Sequence, residues 1–160
     1  MAGILFTDGN LVLAGYNHLD MKIDGIGGKC EGNETPIKTA IREMVEELFE
    51  LEETVPLLLE ALEKNLTFDF VMGTGSYTIF VMDFQYDLEI IFNTLKQFEL
   101  KSKVYNKIPE SISDLLIKRI PNDFAEFSQL ILIPCSHQFD ISPLLLTDIF
   151  SFKTYEKNMR

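Results

Sequence analysis

A chain of 160 residues with 46% hydrophobic and 24% charged residues can bury a core of ordinary size, which excludes a disordered or fibrous protein. It is too short for two comfortable domains, so one domain over residues 1–160 is expected. The formal net charge of −11 works against a sequence-independent grip on a long polynucleotide, because such a grip comes from Lys and Arg neutralising phosphates.

The longest apolar runs, such as Leu57 to Leu59 and Leu130 to Pro134, fall short of a membrane span. The opening MAGILFTDGN lacks the basic stretch and cleavage site of a secretory signal, so no membrane partner and a cytoplasmic address are expected. Cys30 and Cys135 have no metal-finger or disulfide-scaffold spacing and are expected to be free thiols.

In chain order, GILFTDGNLVLAGYN holds two β-prone runs around the turn Asp8-Gly9-Asn10, which predicts strands near 3–7 and 11–15. An extended piece from Lys22 to Ile26 leads into Gly27-Gly28, where the missing side chains allow a tight turn and close approach to a ligand. Thr35 and Pro36 then supply the N-cap and first position of a helix. Ile37, Ile41, Met44, Val45 and Leu48 recur at helical spacing, so that one face of this helix builds core while Arg42, Glu43, Glu46 and Glu47 lie largely away from it.

VPLLLEALEKN is ambiguous between a helix and an extended segment, with helix favoured. The runs flanking Gly73-Thr74-Gly75-Ser76 predict a hairpin. Helical periodicity follows in Asp87 to Phe98 and in Glu110 to Ile120, Gln129 to Pro134 reads as a strand, and Ser142-Pro143 opens a terminal helix. No internal repeat is visible. This order predicts an α+β sandwich with helices against a mixed sheet.

The chemistry concentrates in GIGGKCEGNETPIKTAIREMVEELFEL, residues 25 to 51. Glu43, Glu46 and Glu47 stand at i, i+3 and i+4 on one helix face, where like charges repel. A hard divalent cation with oxygen ligands, shared with substrate phosphates, would hold them together. The alternative for any such charge cluster is a solvated surface.

Gly28, five residues, Glu34, seven residues, Arg42-Glu43, the apolar Met44, one residue, and Glu46-Glu47 resemble the Nudix box of the Nudix hydrolases. The spacing lies in the turn-to-helix context that the motif requires. The resemblance implies a Nudix-like α/β/α sandwich with a mixed central sheet. It also implies hydrolysis of the diphosphate linkage in a nucleoside diphosphate derivative with Mg²⁺ or Mn²⁺. Carried over residue by residue, it makes Glu43, Glu46 and Glu47 the metal-binding carboxylates, with the carbonyl of Gly27 as a further ligand. Glu34 and Arg42 become the ion pair that clamps loop to helix, and Gly28 and Lys29 go to the phosphates. The general base is expected from the later segment NDFAEFSQLILIP, where Glu126 is preferred and Asp123 is the fallback.

The chain departs from the pattern at Phe49, where the family usually has a Gly that permits a left-handed helix exit. This predicts a helix that runs on or ends differently. Ile26 stands where many members have Pro. His18 and His137 receive no role, Cys30 is incidental, and Tyr16, Phe70, Tyr77 and Phe80 either stack on a base or fill core.

The expected partner is a small nucleotide, with a homodimer compatible. Two other readings remain. One is an RNA 5′-cap or 5′-phosphate hydrolase that uses a basic stretch with Lys96, Lys101, Lys103, Lys107, Lys118 and Arg119 against Glu99, Glu110 and Asp114. The other is a non-catalytic nucleotide-binding module.

Overall fold

The computed structural model describes residues 1–74 and 76–159. Its elements are β1 (Ala2–Phe6), β2 (Leu11–Asn17), β3 (Lys22–Asp24), β4 (Ile26–Gly28), α1 (Pro36–Phe49), α2 (Pro56–Asn65), β5 (Phe70–Thr74), β6 (Tyr77–Met82), α3 (Tyr86–Leu95), α4 (Ile112–Ile117), β7 (Gln129–Pro134) and α5 (Pro143–Met159). The ambiguous VPLLLEALEKN segment is thus a helix. The hairpin near residue 75 forms between β5 and β6, with Gly75 itself outside the described residues.

The α+β class with a mixed sheet is observed, and its strands divide between two sheets. One is mixed, in the order β4-β1-β6-β5 with β1 and β6 parallel; the other is antiparallel, β3-β2-β7. Asp8 makes the corner between them. Its Oδ1 accepts from the N–H groups of Asn10 and Leu11, both at 2.8 Å, and the Asx turn this creates hands the chain from one sheet to the other.

Alternation along β1 explains the layers. Ala2, Ile4 and Phe6 point into a core shared with Ile41, Met44 and Leu48 of α1, Leu58 and Leu62 of α2, and Leu88 and Ile91 of α3. Leu5 points the other way, into a second core with Ile79 and Val81 of β6 and Leu145, Ile149 and Phe152 of α5. Each fully buried large aliphatic side chain contributes about 1.5–3 kcal/mol of transfer free energy. The first core therefore anchors the acidic helix α1 against the mixed sheet, while α5 closes the opposite face. Among the described residues, no helix is long and apolar enough to cross a membrane.

Helix α1 begins as its sequence predicts: the Thr35 hydroxyl accepts from the Lys38 N–H and Pro36 occupies the first turn. Its end follows the second of the two expectations, a different exit. The helix does not run on; it stops at Phe49, and Glu50 adopts the left-handed conformation, φ 42° and ψ 58°, without being glycine. The reason is packing. Phe49 is fully buried and meets Phe92 edge to face, ring centroids 6.3 Å apart, so position 49 is committed to the core and the turn is displaced by one residue.

Neighbouring chain holds Glu50 in that conformation. Its N–H donates to the Glu46 carbonyl at 3.0 Å, and its own carbonyl accepts from the Lys103 N–H at 2.8 Å. The Ser102 hydroxyl donates to the Phe49 carbonyl. Because a side chain in the left-handed region costs about 1–2 kcal/mol, Glu50→Gly should raise stability by about 1 kcal/mol in urea unfolding. A loss of that size would show that the Glu50 side chain, and not its backbone, stabilises the exit.

Candidate active site

Four elements meet around a cleft of about 420 Å³: β4 with Gly27, Gly28 and the following Lys29; α1 with Glu43; the loop before β7 with Glu126; and α5 with Leu144, Leu145 and Asp148. Asp24 and Tyr77 complete its wall. Gly27 has φ 152°, a conformation that side chains rarely adopt. A Cβ on Gly28 would collide with the Glu43 carboxylate. Both glycines are thus required where the strand passes under the acidic helix.

The Arg42 guanidinium organises that helix. Its Nε and Nη2 donate to the two oxygens of Glu34, at 2.7 and 3.1 Å, the fork geometry that Arg makes with carboxylates. Nη2 also donates to the Lys29 carbonyl at 2.8 Å, tying the Gly-rich loop to α1. Nη1 reaches Glu43 at 3.0 Å and Glu46 at 3.2 Å. Glu34 further accepts from the Thr39 hydroxyl and the Glu31 N–H. The Arg42 guanidinium beside it holds its carboxyl down at about 2.

The remaining carboxylates face one another. Glu47 is buried, and its Oε2 accepts the Gly27 N–H at 3.1 Å. Burial, and then the nearby charges of Glu126, Glu43 and Asp24, push its carboxyl well above the usual range. Glu126 is raised by partial desolvation and by Glu43 and Asp24. Asp148, on the α5 wall, is pushed up to about 7 by burial; the Tyr77 hydroxyl opposes that shift and Asp24 adds to it.

Sequence-predicted residues are therefore partly brought together. Gly27, Gly28, Lys29, Glu43 and Glu126 share the cleft, with Glu47 buried and bonded to its Gly27 edge. Glu46 stands apart: its side chain is 53% exposed and lines, with Arg42 and Val45, a separate hollow of about 70 Å³. Asp123 is exposed and does not line the cleft. Of the aromatic residues, Tyr77 lines it, Phe80 is core, and Phe70 stacks on Tyr155.

Asp24, Asp148 and the wall position of Tyr77 escaped sequence reasoning. The first ends a three-residue strand and the second sits inside a mostly apolar helix, so neither carried a spacing signal. Of the basic stretch, Arg119 is buried, Lys118 pairs with Asp114, Lys96 and Lys107 flank Glu110, and Lys101 and Lys103 are exposed.

The donor set suits a hard divalent cation. Glu43, Glu47, Glu126 and Asp24 all offer oxygen, and burial first and then the charges of Glu126, Glu43 and Asp24 disfavour the ionised form of Glu47, a penalty that a bound cation would relieve. Among the described residues, no three such side chains are already gathered closely enough to hold a metal. Glu43 and Glu46 are instead engaged by Arg42.

No family model matches the chain, and no curated protein matches it. A solved structure described as a hydrolase of the NUDIX family from Clostridium perfringens is similar over 92% of this chain and 91% of that one, at 14% identity and a TM-score of 0.41. A likeness that loose transfers no residue roles, which rest on the geometry above.

The Arg42 clamp has a pH signature. Ionised Glu34 is the form that binds Arg42, so its contribution is complete above pH 4.5 and is lost as pH falls toward 2. Glu34→Gln should be less stable than the parent at pH 7 by about 2 kcal/mol. That gap should narrow in unfolding measurements carried down toward pH 3. A gap independent of pH would contradict the clamp.

Proposed function

We propose that this chain is a Nudix-type pyrophosphohydrolase that uses a divalent cation to cleave the diphosphate linkage of a small nucleoside diphosphate derivative. The observation that carries this reading is the convergence of the Gly27-Gly28-Lys29 loop, Glu43 and Glu126 on one cleft, with Glu47 buried at its edge and bonded to Gly27.

In this reading Glu43, Glu46, Glu47 and the Gly27 carbonyl hold Mg²⁺ or Mn²⁺, which would neutralise phosphate oxygens and acidify a bound water. Glu46 has the solvent exposure to turn from its hollow toward that site. Lys29 faces the cleft and supplies positive charge for the diphosphate. Glu126, which lines the same cleft, accepts the proton of the attacking water as the new P–O bond forms and the bridging P–O bond breaks in line with it. Partial burial and the neighbouring charges of Glu43 and Asp24 raise its carboxyl above the ordinary value, which makes it a stronger proton acceptor.

The RNA reading is the weaker one, because Arg119 is buried and Lys96, Lys107 and Lys118 stand beside carboxylates, which leaves Lys101 and Lys103 as its exposed cations.

The test is turnover of nucleoside triphosphates, dinucleoside polyphosphates, nucleotide sugars and ADP-ribose with Mg²⁺. Glu47→Gln should lower the rate on the active compound by about 100-fold. Glu126→Gln should lower kcat by about 100-fold with little change in KM. Turnover of nothing in the panel, or full rates in both variants, would defeat the proposal.

A further inference from the structure

Arg119 lies two residues beyond α4 and is 8% exposed. Its charge is met by carbonyls. Nη1 donates to the Leu48 carbonyl at 2.7 Å and Nη2 to the Glu47 carbonyl at 3.0 Å, two of the groups left open at the end of α1. The same Nη2 donates to the Phe127 carbonyl at 3.1 Å. Tyr105 supports the fork from the side: its hydroxyl accepts from Nη1 at 3.4 Å, and its ring lies 5.6 Å from the guanidinium carbon.

Capping a helix does not call for this arrangement. A left-handed exit and solvent satisfy terminal carbonyls at little cost, whereas Arg119 is a buried cation whose Nε has no partner, an expensive state. What the fork adds is a join. One nitrogen bridges the backbone of Glu47, at the catalytic end of α1, and that of Phe127, next to Glu126. The two carboxylates repel each other, Glu126 being the largest charge effect on Glu47, so the segments that carry them need a tie.

We propose that Arg119 is a positioning residue: its planar guanidinium fixes the loop that carries Glu126 at a set distance from the Glu47 turn of α1. The idea rests on the hydrolase reading for its kinetic consequence, though not for the tie itself. A lysine in its place could not reproduce the tie, because an ammonium is a compact point donor and not a planar fork.

The experiment uses Arg119→Lys and Arg119→Met, with Tyr105→Phe as a control that disturbs the same buried site while leaving the bridge. Hydrogen exchange of the substrate-free protein reads the tie directly: amides of 122–130 and of 47–51 should exchange faster in both Arg119 variants than in Tyr105→Phe. Kinetics on the panel compound that the parent turns over fastest should show kcat lower by about 100-fold in Arg119→Lys, as for a base displaced by about 1 Å. KM should stay within about twofold. Affinity for Mn²⁺ alone should also be unchanged, since no metal-binding carboxylate has been altered.

Unchanged exchange in 122–130 overturns the proposal, as does a folded Arg119→Lys with the parent's kcat, or a rate loss fully matched by loss of Mn²⁺ affinity. If the parent turns over nothing, the hydrolase reading fails, and exchange alone decides whether Arg119 ties the two segments.

Discussion

One guanidinium, that of Arg42, makes the rest of the site sterically and electrostatically tolerable. Like charges at i,i+3 and i,i+4 on a helix cost about 0.2–0.5 kcal/mol per pair, whereas a hydrogen bond to a charged group contributes about 1.5–3 kcal/mol. Arg42 makes such bonds to Glu34, Glu43 and Glu46 together, so it outweighs the crowding on α1. Through the Lys29 carbonyl it also fixes the Gly-rich strand edge under the acidic face. It thereby sets the place of Lys29, Glu43 and Glu46 relative to one another.

Arg42 does not reach everything. Among the described residues, the Glu47 carboxylate receives one hydrogen bond, from the backbone N–H of Gly27, and it shares its surroundings with Glu126, Glu43 and Asp24. Arg42 thus meets Glu34, Glu43 and Glu46, while among the described residues the buried Glu47 has no cation in ion-pair contact. That asymmetry separates the site from a solvated acidic surface. A surface cluster would spread its charges into water, whereas here the unbalanced group is the buried one.

Much of this was legible from spacing. Gly28, Glu34 and Arg42 stand at set spacings within a short stretch, the resemblance pairs the last two, and the Arg42 guanidinium donates to both oxygens of Glu34. The strands and helices followed their periodicities, including the weakly marked α2. What stayed hidden depends on distant packing. The exit of α1 follows from Phe49 filling core against Phe92, which the missing glycine could not reveal. Arg119 looked like one more charge in a basic stretch, because nothing local distinguishes a solvated Arg from one folded onto carbonyls more than 70 positions away. Asp148 lay among apolar residues of α5, and only tertiary structure turns it toward Tyr77 and Asp24.

The central claim is that the unbalanced carboxylates beside Gly27 are a divalent-cation site. Anomalous diffraction from crystals soaked in Mn²⁺ tests it most directly. The account predicts a peak bounded by Glu43, Glu46, Glu47 and the Gly27 carbonyl, with Glu46 turned away from its hollow. Manganese bound elsewhere, with Arg42 still holding Glu43 and Glu46 at that concentration, would contradict it.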